Sequence, residues 1–268
     1  MGENSIKSNL AIETSISETK LLVYAKHICL IVEGDEDYKF WQKFIITENV
    51  NIIQSYAGKH GVEDIVNQVN HIRAIGVRDK DYCTSVNLER IFFYDRCCME
   101  MMIISANAVY DSLCCEFLSG DPSSKHVEKI HILRELFTLS KLRKYNEEKC
   151  RGINFKGLDV YNFVDDRNKL DLSKAKKKLS KLNPNKTLDL TIDDVQELTI
   201  DNLLDITNGH DFIGFFKGVC DNYNQRSVDV KHLSSALRVA YNLPLFKDTN
   251  LYQSIIKYSE NNCLKILL

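Results

Sequence analysis

Carboxylates stand just past apolar runs at several places in the first hundred residues. Glu33 follows ICLIV, Asp79 and Asp81 follow AIGVR, and Asp95 follows RIFFY. An apolar run that stops at a charge reads as a buried strand entering a turn. In doubly wound sheets ligands sit beyond the carboxyl ends of the strands, so these acids point to one shared edge. Like charges within a few Å raise one another's pKa and destabilise the empty site. A divalent cation removes that penalty. Mg²⁺ (or Mn²⁺) takes carboxylate oxygens together with waters and substrate phosphate. Two such ions about 4 Å apart can activate a nucleophile and stabilise the leaving oxygen of a phosphodiester. Each acid also has an ordinary reading. Glu33, Asp35 and Asp37 could serve the positive end of the following helix, and Asp79 and Asp81 could sit in a solvated turn.

The elements that must position these residues alternate in type. Lys26 to Val32, Asn51 to Tyr56, Ala74 to Val77 and Leu88 to Tyr94 read as strands. Between them, residues 36–46 show Tyr38, Trp41 and Ile45 at helical spacing. Val62 to Ile72 places Val62, Ile65, Val66, Val69 and Ile72 on one helix face. Such alternation implies crossover connections and a parallel sheet. Cys98 to Phe117 reads as one apolar helix, and beyond residue 120 the pattern becomes mostly helical. Helices are expected over 127–142, 172–182, 211–223, 228–241 and 251–260, with a β-like or irregular stretch over 153–164 and a loop over 183–195. The GDPSS turn around Ser119–Ser123 marks a boundary, giving a sheet domain over 1–120 and a helical region over 121–268. Trp41 and the Phe92-Phe93-Tyr94 run read as core rather than as a platform for stacked bases.

Composition limits the function classes. Across 268 residues the net charge is -2, so nucleic-acid binding would need a local basic patch. The strongest cluster is Lys174, Lys176, Lys177, Lys178 and Lys181 on one face of the helix at 172–182, which is either a solvated face or a phosphate-binding one. No apolar run approaches membrane-spanning length, and the N-terminus lacks the apolar region of a signal peptide. The nine cysteines form no C-x-x-C pair; they read as reduced thiols of a cytoplasmic protein with no zinc site. No G-x-x-x-x-G-K-[ST] phosphate loop occurs.

Taken in order, E-G-x-x-D (Glu33, Gly34, Asp37) and D-x-D (Asp79, Asp81), each after a strand, resemble the TOPRIM metal-binding motif. That family includes topoisomerases, primases and the OLD-type nucleases. More narrowly, the chain resembles the stand-alone TOPRIM effectors of the AriB type, from the PARIS anti-phage system. The matches are the turn with Gly58, Lys59 and Val62, then Asp95 and Glu100 in FFYDRCCMEMMI, then Gly209, His210 and Asp211, over residues 14 to 258. The resemblance implies a TOPRIM α/β fold, followed by a mostly helical region. It implies an Mg²⁺-dependent endonuclease with Glu33, Asp79 and Asp81 as catalytic and metal-binding residues. Asp95 and Glu100 would support them. It further implies cleavage of RNA, transfer RNA in particular, toxicity restrained by an ABC-type ATPase partner, and a homodimeric active form. Lys59 and His210 are candidate substrate contacts, as are Lys174, Lys177 and Lys178 of the lysine face. Lys59 and His210 also have bland readings, an exposed lysine and a structural histidine. Arg78 stands where the family carries an apolar residue, and its charge could offset part of the acid cluster. That leaves two further readings open: a DNA-nicking enzyme, and a non-catalytic module that binds nucleic acid or its ATPase partner.

Overall fold

Residues Ile28–Val32 (β1), Val50–Gln54 (β2), Ala74–Arg78 (β3) and Ile91–Phe93 (β4) form a sheet in the order β2-β1-β3-β4, with every pairing parallel. The computed structural model describes residues 3–82, 89–118, 127–186, 188, 199–223 and 227–268. Cys83, the GDPSS boundary and most of the loop at 183–195 lie outside the described residues.

The chain divides into two compact units, residues 1–95 with 242–268, and residues 96–241. This differs from the division expected near residue 120. In the first unit β1 is buried along its whole length, as both-sided coverage requires. Cys29 and Ile31 project into a core with Ile16 and Val23 of α1 (Glu3–Tyr24) and Val62, Ile65 and Val66 of α3 (Gly58–Val69). The two-residue period sends Ile28, Leu30 and Val32 to the opposite face. An aromatic cluster joins Phe40 and Trp41 of α2 (Asp35–Trp41), Phe44, Tyr94, and Phe246 of α12 (Leu243–Lys247). Phe246 also meets Tyr252 of α13 (Asn250–Asn261) edge-on at 5.3 Å. The Ile46 amide donates to the Ile266 carbonyl at 3.0 Å, and the Leu268 amide to the Phe44 carbonyl at 3.0 Å. These contacts explain why the last residues of the chain belong with the sheet.

Two differences from the sequence reading follow from packing. Helix α1 was not expected, because its sequence is rich in Ser and Thr, which compete for backbone groups. Here the hydroxyls of Thr14, Ser17 and Thr19 bond the carbonyls four residues back, and burial of Ile16, Thr19 and Val23 holds the helix. The single helix expected over 98–117 is two, α4 (Met99–Ser105) and α5 (Asn107–Phe117), because Ala106 is extended at φ -70° and ψ 112°.

The second unit also contains α6 (Lys129–Glu135), α7 (Phe137–Glu148), a 3₁₀ turn at Val160–Phe163, α8 (Leu172–Leu182), α9 (Ile200–Ile206), α10 (Gly209–Tyr223) and α11 (Val230–Ala240). Its centre is α10, which buries Phe212, Ile213, Phe215, Phe216, Val219 and Cys220 and packs on α4, α6, α11 and the 3₁₀ turn. That packing draws α4 into the helical unit rather than the sheet. On α8, Ala175 and Leu179 are buried as expected, but Leu172 is 37% exposed. No helix among the described residues is long and apolar enough to cross a membrane.

Candidate metal centre

The strand order places a topological switch point between β1 and β3. From β1 the chain crosses to β2 on one side, then returns to β3 on the other. Crossovers that diverge this way leave a crevice at the carboxyl ends. Glu33 is the first residue beyond β1 and Asp79 the first beyond β3.

Glu33 Oε1 accepts the Asp79 amide at 2.8 Å, so the two turns are joined directly. Ser55, fully buried, lies with its hydroxyl 3.3 Å from the Glu33 carbonyl and 3.0 Å from the Gly58 carbonyl. The loop after β2 is thereby tied to the same edge. Gly58 has a φ of +60°, a conformation that favours glycine, and a Cβ there would lie 3.6 Å from Glu33 Oε2. Burial pushes the Glu33 carboxyl up to about 7. The Asp79 amide works against that shift, the charges of Asp37 and Asp81 add to it, and Arg78 opposes it.

The neighbouring acids are each engaged differently. Asp37 Oδ1 accepts the Tyr94 hydroxyl at 2.7 Å, and the Tyr94 oxygen accepts Trp41 Nε1–H at 3.0 Å. Tyr94 is buried, and burial together with the Asp37 charge holds its phenol protonated. Asp81 pairs with Lys59 across 3.0 Å from a left-handed backbone, φ +50°, which Asp tolerates better than most residues. Asp95 is turned to another task. Its Oδ1 accepts the Leu251 amide at 2.8 Å, and its Oδ2 accepts the Asn250 amide at 2.8 Å and the Asn250 side chain at 3.2 Å. It therefore serves the amino end of α13.

Arg78 is 3% exposed. Its Nε lies 2.9 Å from Glu63 Oε1, its Nη1 donates to the Asp79 carbonyl at 2.8 Å, and its guanidinium stacks 4.8 Å from the Phe93 ring centre. Arg78 is thus paired with Glu63, and its effect on the Glu33 carboxyl stands behind burial, the Asp79 amide and the charges of Asp37 and Asp81.

The remaining expected site residues belong to the helical unit. Glu100 is in the first turn of α4. A Cβ on Gly209 would lie 2.7 Å from Glu100 Cβ and 2.8 Å from Cys98 Sγ, so this glycine permits the close approach of α10 to α4. Asp211 is buried and forms a bidentate pair with Arg143, at 2.5 Å from Nε and 2.7 Å from Nη2. His210 is exposed and lines a cavity of about 540 Å³. Lys174, Lys177 and Lys178 are exposed, and Lys174 Nζ lies 3.1 Å from Asp171.

The donor chemistry at the sheet edge fits a hard cation: Glu33, Asp79 and Asp81 offer half-buried carboxylate oxygens. Among the described residues, however, no three His, Cys, Asp or Glu side chains gather closely enough to hold a metal ion. The fit is therefore to an ion held by one or two carboxylates, with water and phosphate completing its shell. Sequence reasoning missed the Tyr94–Asp37 bond, the Lys59–Asp81 pair and Glu63. Only Glu63 was signalled, since an arginine ending a buried strand needs an acidic partner, and nothing in the spacing singled out which acid. Comparison with family models, curated proteins and solved structures found no match.

Proposed function

We propose that the carboxyl edge of the sheet is the catalytic centre of a TOPRIM-type, Mg²⁺-dependent endonuclease. The observation that supports this most is the placement of Glu33. Its carboxylate stands at the switch point, joined to Asp79 and facing the charges of Asp37 and Asp81. A half-buried acid surrounded by acids at a strand end is arranged to gain from a divalent cation. Glu33 and Asp79 would hold the ion, with Asp81 joining when Lys59 turns to a substrate phosphate. A bound Mg²⁺ would supply charge stabilisation at a scissile phosphate. The alternative role for Glu33, where Asp79 holds the ion without it, is that of the base that takes the proton of the attacking group. Asp37 is held by Tyr94 and would keep its charge aimed at Glu33. Asp95 and Glu100 take supporting roles at most: Asp95 serves α13, and Glu100 packs beside Gly209. The resemblance to AriB-type effectors extends this reading to a toxic anti-phage nuclease that cuts RNA, transfer RNA in particular, as a homodimer restrained by an ABC-type ATPase. DNA nicking is the alternative within the same chemistry.

One observation favours a second, non-catalytic reading. Lys59 already neutralises Asp81, so the edge could bind nucleic acid or a protein partner without a metal. Purified protein incubated with total RNA, plasmid and Mg²⁺ separates the readings. Cleavage by the wild type, abolished by Glu33→Gln in a variant that melts normally, supports the enzyme. Intact RNA beside nicked plasmid would move the substrate to DNA. No cleavage of either, with no Mg²⁺ binding by calorimetry, would leave the binding module.

A further inference from the structure

The helical unit carries a cavity of about 540 Å³, within the range of small-molecule sites, that the sheet-edge reading does not use. From its lining we infer that it receives a nucleobase, either free or unstacked from a single strand. Phe155 and Tyr161 contribute half-buried aromatic rings to the wall. The Arg143 guanidinium sits 4.3 Å from the Phe155 ring centre, and the Lys217 ammonium 4.3 Å from the Tyr161 ring centre. These cations hold and polarise the two rings. Both residues line the cavity and are only half-buried, and a base seated there would stack on them, a contact that accepts every base because every base has a π-face.

The polar groups select a flat, neutral heterocycle over a simple anion. Arg143 is the most enclosed cation of the wall, and its charge is cancelled by the bidentate pair with Asp211, while the charge of the exposed Lys156 is matched by that of Asp159. Asp159 brings an exposed carboxylate that would repel a phosphate but accept an amino or imino N–H. Asn208 takes the Asp211 amide on Oδ1 at 3.3 Å, which leaves its NH₂ as a donor. His210, exposed at the same wall, can donate or accept according to its tautomer. Rings with both donors and acceptors beside them suit the edge of a base.

The test is the fluorescence of 2-aminopurine, which falls when the base stacks. The free riboside and a single-stranded RNA carrying one 2-aminopurine are each titrated with the full-length protein in EDTA, on the Glu33→Gln background. Binding needs no metal, so failure of the nuclease reading leaves this result intact. Quenching of the strand alone identifies a base presented by a nucleic acid. Quenching of the riboside as well identifies a free nucleoside ligand. Phe155→Ala should weaken binding about tenfold, the loss expected from one stacked base. Asp159 is exposed, so Asp159→Asn should fold and still weaken binding several-fold, which decides the matter if Phe155→Ala unfolds. No quenching of either probe, or quenching that both variants leave unchanged, would overturn the proposal.

Discussion

Glu33 at the sheet edge and Asp211 in the helical unit are both acids in motif-like settings, yet their surroundings differ. Asp211 is buried against Arg143, with two hydrogen bonds that answer both carboxylate oxygens. Glu33 is joined to one backbone amide, and the charges of two further acids bear on it. A carboxylate with a matched counter-ion is part of the scaffold. One held beside like charges is in tension that a cation or a proton relieves. Partner geometry, more than residue type or motif, separates the two.

Removing the counter-ion of Asp211 puts that separation to the test. Arg143→Met should destabilise the helical unit by about 3 kcal/mol, as removal of one member of a buried pair does. Adding Asp211→Leu should restore much of that loss. Denaturant unfolding of the single and double variants checks it, and a double variant no better than the single would make packing, rather than charge, the source of stability. Tyr94→Phe removes the bond to Asp37 and leaves Trp41 Nε1 without its acceptor. A cost of about 2 kcal/mol is expected, read by the same method.

Glu33 gives an effect with a defined pH dependence. Its folded-state pKa of about 7 lies above the ordinary 4.5, so between these values the folded state holds more protons than the unfolded chain. The wild type therefore loses stability as pH rises through that window. Glu33→Gln, which cannot ionise, should match the wild type near pH 4.5 and exceed it by roughly 3 kcal/mol above pH 7. Melting curves across that range test the sign. Smallest in stability is the lysine face: changing Lys174, Lys177 and Lys178 to Gln should alter it by less than about 0.5 kcal/mol. If that face meets phosphates, the same change should flatten the salt dependence of nucleic-acid binding by about 0.7 per lost contact, and an unchanged slope would leave it a solvated surface.

The sheet was legible because β1 and β3 are continuous apolar runs, a period that local sequence displays directly. Placing Glu33 and Asp79 on one edge was legible for the same reason, since parallel crossovers bring every strand to end on that edge, whereas the strand order that makes them neighbours is seen only in the fold. Helix α1 was not, because its stability comes from Ile16, Thr19 and Val23 against the sheet rather than from its own composition. The return of residues 242–268 was hidden as well: Phe246 and Ile266 find partners some two hundred residues earlier, and no local pattern marks such pairing. At the site, side-chain direction was the missing quantity. Asp95 stands after a strand like Glu33, yet faces the amino end of α13. Arg78 stands beside the acids in sequence, yet reaches Glu63.

The proposed role of Glu33 is that of a proton-sharing, cation-accepting carboxylate, and its titration can be observed directly. Carboxyl-carbon NMR of the labelled protein, with Glu33→Gln to assign the resonance, measures the pKa with and without Mg²⁺. Titration near 7 without the ion and a clear downward shift when Mg²⁺ is added are expected. Titration near 4.5, unmoved by Mg²⁺, would contradict it.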